Sequence, residues 1–245
     1  MSCVSTLAGT SAVSVGAAHL GLNHRSADTE GAVQISLTQR DRDILKTLTA
    51  RVKLLTIDQI GRTWWGSSAN PAHNARTRLR ALAAEELLTP ITVMAHPELP
   101  LTAPVVSWQP GDAPSDFGAV SYRLRSRWKA PFACVSAVLA TQKAANHFGG
   151  DAGRHPKEAE QNHDVHLSVV YLHVRLNRPD LAEHWISEQR IKRSRPDAPG
   201  EKLPDAMVEV HGLKTAIEFG GAYTKEKVEG FHLFCARKGY AYELW

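Results

Sequence analysis

Two carboxylates near the carboxyl-terminal end of the sequence have the types and spacing of metal ligands on a β-hairpin. They lie in Pro204-Asp205 and in the apolar segment Ile217-Glu218-Phe219. A turn at Gly212-Leu213 would pair Asp205 with Gly220, which makes Asp205 and Glu218 diagonal neighbours on one face, with Cα atoms ~7–8 Å apart. Both would then bind one Mg²⁺ or Mn²⁺, which activates water and neutralises charge on a cleaved phosphate. The alternative is a turn aspartate and a surface glutamate.

The elements that must position this pair are predicted over residues 160–245, in the order α-β-β-β-α-β of a restriction-endonuclease-like core. Asn162 is predicted to cap the first helix, and Gly239 to stop the second. The predicted elements are a helix at His163–Leu176, strands at Trp185–Ile191, Ala206–His211 and Lys214–Phe219, a helix at Thr224–Lys238 and a strand at Tyr240–Trp245, with a polar loop at Arg193–Lys202.

A second module is predicted over residues 35–96. Thr38 followed by Asp41 indicates a capping box, Thr56 begins a second helix, and Asn70-Pro71 begins a third. Residues 87–93 would supply a wing strand. Three short helices and a wing are typical of a winged helix-turn-helix, so the predicted fold class is α+β, with this module before the restriction-endonuclease-like domain.

The third predicted helix has two distinct faces at ~100° per residue. Ala72, Ala75, Leu79 and Leu82 form an apolar face, which predicts the core side. The outward residues suit major-groove edges and phosphates. These candidate DNA-binding residues are His73, Asn74, Arg76, Thr77 and Arg80. The alternative is the solvated face of an ordinary helical bundle.

Residues 97–159 are predicted to form a connector that carries a basic patch. The segment 97–118 is rich in proline, and Arg123, Arg125, Arg127 and Lys129 follow without an acidic neighbour. This alternation would put every charge on one face of a strand, whereas a helix would spread them around its axis. In either form the patch would contact DNA phosphates or remain a solvated surface.

Composition sets the remaining limits. Lys and Arg number 29 against 25 Asp and Glu, a mild excess that permits nucleic-acid binding without arguing for it. Three widely spaced cysteines indicate reduced thiols of a cytoplasmic protein. No apolar run reaches the ~20 residues that span a bilayer. Residues 1–34 are predicted to be a flexible leader, and no membrane partner is expected.

Several short motifs resemble a known family. Pro204-Asp205 with Glu218 resembles the PD-(D/E)xK nuclease superfamily. Together with Leu37–Leu45 and His163-Asp164, the arrangement is similar to the bacterial replication-relaxation family. The resemblance covers most of residues 37–235. It implies duplex-DNA binding tied to replication or mobilisation of a plasmid or mobile element, with other replication or mobilisation proteins as partners; a homodimer is compatible with it.

The sequence departs from the superfamily pattern at Gly220, where a lysine usually stabilises the attacking water. Lys225 or Lys227 would reach the site if the lysine had migrated. Glu188, on the first predicted strand, is a candidate third acidic ligand. His163 and His166 are also spaced to share a metal on a helix.

Three functions therefore compete. The first is a DNA-binding replication or mobilisation accessory protein whose nuclease-like domain is weakly active or inactive, and Gly220 favours it. The second is a Mg²⁺- or Mn²⁺-dependent endonuclease that uses Asp205, Glu218 and a displaced lysine. The third is a winged-helix transcriptional regulator.

Overall fold

A computed structural model describes residues 35–194 and 203–245; the predicted leader and most of the predicted 193–202 loop lie outside these ranges. Within them the architecture is α+β, with nine helices and two sheets. The helices are α1 (Gln39–Ala50), α2 (Ile57–Trp64), α3 (Pro71–Ala84), α4 (Phe117–Ser126), α5 (Gln142–Phe148), α6 (Glu158–Asn177), α7 (Pro179–Glu183), α8 (Glu188–Ser194) and α9 (Lys225–Lys238). The strands are β1 (Leu55–Thr56), β2 (Leu88–Ala95), β3 (Val106–Trp108), β4 (Ala133–Ala140), β5 (Trp185–Ser187), β6 (Ala206–Val210), β7 (Leu213–Glu218) and β8 (Ala241–Leu244).

The amino-terminal helices begin where the capping signals predict. The Thr38 hydroxyl accepts from the Asp41 N–H and the Asp41 carboxylate accepts from the Thr38 N–H, and Thr56 and Gln59 do the same at α2. α3 begins at Pro71 as predicted, but the Asn70 side chain makes no capping hydrogen bond. These reciprocal caps satisfy backbone donors that a helix start leaves unpaired.

A three-stranded antiparallel sheet, in the order β1-β4-β2, covers these helices. The strand predicted at 87–93 is confirmed as β2. Its partner is β4, with Leu88 opposite Ala140 and Ala95 opposite Ala133. Residues 96–132 are therefore inserted between two paired strands.

The prediction that residues 97–118 only connect is wrong. Val106 and Trp108 lie in β3 and are buried, and β3 pairs antiparallel with β8. The basic segment is not a one-faced strand: Arg123 and Arg125 lie in α4, which Asp116 caps and whose Val120 and Leu124, one turn apart, are buried, and Arg127 and Lys129 follow the helix. This apolar spacing outweighs the alternation of arginines because burial, not charge, fixes the helix.

The second sheet has the order β3-β8-β7-β6-β5. β7 and β8 are parallel and are joined through α9, whereas the other neighbours are antiparallel. Thr224 caps α9, and Gly239 ends it with a left-handed φ of 66°, both as predicted. A parallel pair needs such a crossover, which a helix supplies.

Two predicted elements have different bounds. The helix predicted from His163 begins at Glu158, where the Glu160 carboxylate accepts from the Lys157 N–H at 3.1 Å; the Asn162 side chain instead accepts from the His96 N–H at 2.9 Å. The strand predicted to reach Ile191 ends at Ser187 and gives way to α8. Glu188 therefore begins a helix.

The β6–β7 turn lies one residue earlier than predicted. His211 and Gly212 have φ values of 51° and 79°, and Val210 pairs with Leu213. Both central residues of such a tight turn need positive φ, which a bulky aliphatic residue such as Leu213 disfavours. Since Ala206 pairs with Ile217, Asp205 and Glu218 occupy directly opposed positions rather than diagonal ones.

One hydrophobic core links α6 to both sheets. Leu88 and Val138 of the first sheet, Val170 of α6, and Val208 and Ile217 of the second sheet are buried in the same cluster. α4 and α9 cover the opposite face of the second sheet with a separate cluster that includes Leu124 and Phe231. The second sheet is therefore enclosed on both faces, and the carboxylate pair lies where β6 begins and β7 ends.

Candidate functional site

Asp205 and Glu218 lie side by side. The Asp205 N–H donates to Glu218 Oε2 at 3.3 Å, and the Phe219 N–H donates to Asp205 Oδ2 at 2.8 Å. Glu218 is buried, with 2% of its surface exposed. The structure thus brings the two predicted residues together, through backbone hydrogen bonds that fix both carboxylates.

A histidine that the sequence offered as a metal ligand occupies this site as a cation. His163 Nε2 donates to Asp205 Oδ2 at 2.9 Å, and Nδ1 lies 3.4 Å from Asp164 Oδ1. Burial disfavours the charged imidazole, but the Asp205 charge and the hydrogen bonds to Asp164 and Asp205 outweigh it and raise the pKa of His163 to about 10. At neutral pH an imidazolium therefore neutralises Asp205.

Glu218 also has a strong partner. The Tyr223 hydroxyl donates to Glu218 Oε1 at 2.5 Å. Burial and the neighbouring Glu218 charge raise the pKa of Tyr223, so this hydroxyl keeps its proton. Asp205 Oδ2 and both Glu218 oxygens therefore already accept hydrogen bonds from protein groups. Within the described ranges no group of three or more His, Cys, Asp or Glu is arranged to hold a metal ion.

The space beside Gly220 is occupied by two leucine side chains. A Cβ atom added there would lie 2.9 Å from both Leu124 methyl carbons and 3.1 Å from Leu244 Cδ1. α4 packs here through further contacts: the Ser121 hydroxyl donates to the Tyr223 carbonyl, and Trp128 Nε1 to the Gly221 carbonyl. The inserted segment therefore packs directly against Gly220.

Lys53, which the sequence analysis did not single out, approaches the site from the first module. Its ammonium lies 3.3 Å from Asp164 Oδ1 and 3.5 Å from Glu188 Oε2. Burial lowers the pKa of Lys53, but the charges of Asp164 and Glu188 outweigh this and raise it. Among the described residues, Asp164 Oδ2 is buried without a hydrogen-bond partner. No sequence motif marks Lys53; only the packing of the α1–β1 turn against α6 brings it here.

The other predicted site residues are placed differently. Lys225 is exposed at the first position of α9, and Lys227 Nζ lies 5.2 Å from the ring centroid of Tyr223. The Glu188 carboxylate pairs with Lys53 and Lys192, while the Glu188 N–H donates to the Asp205 carbonyl at 3.0 Å. His166 does not share a site with His163: it contacts the Asn162 carbonyl and the Leu99 N–H, and burial lowers its pKa to about 4.

The predicted DNA-reading face of α3 is on the surface. His73, Arg76, Thr77 and Arg80 are exposed, whereas Asn74 is half-buried and donates to the Ser68 hydroxyl at 3.1 Å. On the opposite side Ala75, Leu79 and Leu82 are buried as predicted, and Ala72 is half-buried. The segment 59–84, which contains α3, carries four arginines and no acidic residue.

The predicted basic patch is divided. Arg123 and Arg125 are exposed on α4, but Arg127 is half-buried, with its guanidinium carbon 4.8 Å from the ring centroid of Phe219. Burial lowers the pKa of Arg127 to about 10. This arginine donates to the Trp245 carbonyl at 3.1 Å, so it contributes to packing rather than to an open surface.

Across residues 35–194 and 203–245, no helix has the length and apolar content needed to cross a membrane. A scan against protein-family models and searches of curated proteins and of solved structures return no match for this chain. The functional proposal below therefore depends on the residues of this chain and their geometry.

Proposed function

We propose that the protein binds duplex DNA as an accessory factor in replication or mobilisation of a plasmid or mobile element. The observation that carries this proposal is the exposed face of α3, on which Arg76, Thr77 and Arg80 lie within a segment free of acidic residues. Arginines on such a face suit both phosphates and guanine edges in the major groove.

The surrounding elements support a winged helix-turn-helix. α2 and α3 pack closely at Gly61: a Cβ atom there would lie 3.0 Å from the backbone of Pro71 and Ala72. The antiparallel strands β2 and β4 follow α3, and β1 adds to the same sheet. Such a scaffold holds the third helix rigidly with its polar face outward.

The second sheet supports a nuclease-like domain. α6 precedes the strands β5, β6 and β7, which are neighbours in that order, and α9 leads to the parallel strand β8. This order differs from the predicted α-β-β-β-α-β by the short helices α7 and α8, which precede and follow β5, and by β3, which is added at one edge. The domain places Asp205 and Glu218 together on adjacent strands.

We assign this domain a binding or assembly role rather than efficient cleavage. His163 neutralises the Asp205 carboxylate. The Tyr223 hydroxyl and the Asp205 N–H both donate hydrogen bonds to Glu218, and Leu124 fills the space beside Gly220. A missing electrostatic stabiliser typically costs ~10²–10³ in rate. The carboxylates would then stabilise the fold and hold the insertion in place.

The competing function is a metal-dependent endonuclease with a displaced lysine. Lys227, near the Tyr223 ring, is the observation that favours it. The two functions differ in one measurement: cleavage of plasmid DNA with Mg²⁺ or Mn²⁺ that disappears in Glu218→Ala. A winged-helix regulator would share the DNA binding and lack the cleavage.

Fluorescence anisotropy with a labelled duplex tests DNA binding. Arg76→Ala with Arg80→Ala should weaken binding, and the slope of log affinity against log salt should fall by up to ~2 units if both contact phosphate. The matched control removes two exposed arginines elsewhere, Arg190→Ala with Arg237→Ala, and should leave the affinity nearly unchanged. Equal losses in both double variants, or none in the first, would overturn the assignment of α3.

A further inference from the structure

A row of three closely packed, mutually tilted rings, Trp128, His96 and Phe132, ends at the surface. The ring centroids of Trp128 and His96 are 4.8 Å apart, and those of His96 and Phe132 are 3.9 Å apart with an interplanar angle of 30°. The row ends at Phe132, which is 53% exposed. An aromatic ring supported from below and open to solvent is a ready platform for another flat ring.

The chain segment that leads to this platform is basic. Arg125 and Lys129 are exposed, and residues 117–150 contain five Lys and Arg and no acidic residue. Tyr122, 74% exposed, lies one turn before Arg125 on α4. Exposed aromatic rings among cations are the combination that binds single-stranded nucleic acid, since bases stack on the rings and phosphates contact the cations.

The platform is connected to the duplex-binding module. Phe132 directly precedes β4, whose first residue, Ala133, pairs with Ala95 at the end of β2. The same β2 strand packs against α3. Phe132 therefore lies at the opposite end of the β2–β4 ladder from Leu88, the residue of β2 nearest in sequence to α3.

We propose that Phe132, with Tyr122, Arg125 and Lys129, binds an unpaired DNA strand that continues from the duplex held by α3. This inference rests on the proposed duplex binding and adds the class of DNA: duplex with an adjoining single-stranded segment. Stacking does not distinguish bases, so the contact tolerates any sequence.

The test uses the full chain and two labelled DNAs: a blunt duplex, and the same duplex with an unpaired arm that contains 2-aminopurine. The forked DNA should bind more tightly, and the 2-aminopurine fluorescence should be quenched as the base stacks on Phe132. In Phe132→Ala the preference for the fork should fall by about tenfold, as expected for the loss of one stacked base, while blunt-duplex affinity stays unchanged. The matched control, Leu176→Ala, removes another exposed apolar side chain and should keep the preference.

The outcomes separate this inference from the duplex proposal. Blunt-duplex binding that depends on Arg76 and Arg80, without any preference for the fork, would overturn the inference alone. Loss of all DNA binding by the unmodified chain would overturn both. If Phe132→Ala also weakened the blunt duplex, Phe132→Leu and Lys129→Ala would be compared; a fork preference kept in both would count against the platform.

Discussion

Leu124 packs directly against Gly220: a Cβ atom at position 220 would be 2.9 Å from each Leu124 methyl carbon. Because Leu124 is fully buried, it has little room to move. Any side chain at position 220 would therefore force α4 or the end of the Leu124 side chain to shift.

Gly220→Ala should destabilise the fold by ~1–3 kcal/mol, as overpacking in a filled core does. Gly230→Ala is the matched control, since nothing lies within 4 Å of a Cβ atom at that exposed helical position. There the change should stabilise the protein by up to ~1 kcal/mol through helix propensity. Urea denaturation measures both; equal effects would contradict the close contact.

Nuclease activity should be weak or absent in the purified protein. A plasmid-nicking assay with Mg²⁺ and with Mn²⁺ measures it, with Glu218→Ala alongside. Strong cleavage that disappears in Glu218→Ala would favour the endonuclease. Cleavage that persists in that variant would indicate a contaminating enzyme. Intact DNA binding without cleavage agrees with a binding or assembly role for the nuclease-like domain.

His163 should stabilise the protein in a pH-dependent way. Its pKa rises from 6.5 to about 10 on folding, so its contribution is complete below about pH 6.5 and is lost as the pH rises towards 10. His163→Gln should therefore cost about 2 kcal/mol at pH 6, a charge-assisted hydrogen bond, and clearly less at pH 9.5. Urea melts of both proteins from pH 6 to 9.5 check this; a constant difference would show that His163 is uncharged.

Lys53 should be more important for stability than an exposed lysine. Lys53→Met takes one of two neighbouring cations from the buried Asp164 carboxylate and leaves only His163 beside it, so the loss should be about 1–3 kcal/mol. The control is Lys143→Met, whose 3.7 Å pair with Glu86 is exposed and worth less than about 1 kcal/mol. Similar losses in thermal stability would argue against a buried role for Lys53.

Local signals in the sequence predicted the parts of the fold that depend on local chemistry. The caps at Thr38, Thr56 and Thr224 and the stop at Gly239 mark helix ends correctly because each satisfies nearby backbone groups. The apolar setting of Glu218 likewise marked it as unusual. These features depend on residues within a few positions of each other.

Contacts between distant segments were out of reach. Nothing near Val106 announces that β3 pairs with β8 more than 130 residues later, and nothing near Lys53 announces Asp164. The predicted hairpin register differs from the observed one by one residue on each strand, because the backbone of His211, not that of Leu213, has a positive φ. Patterns in a single sequence predict which face of a helix or strand is buried, but not which elements pack against each other.

The insertion of residues 96–132 ties the two sheets into one folding event. β2 and β4 can pair only across a segment whose own strand, β3, must find β8 in the other sheet. We therefore expect that neither half of the chain folds independently. Removing residues 97–245 deprives β2 of its partner β4, and removing residues 35–132 removes β3 and exposes the edge of β8. Limited proteolysis should consequently give cooperative loss of the whole fold rather than two stable fragments.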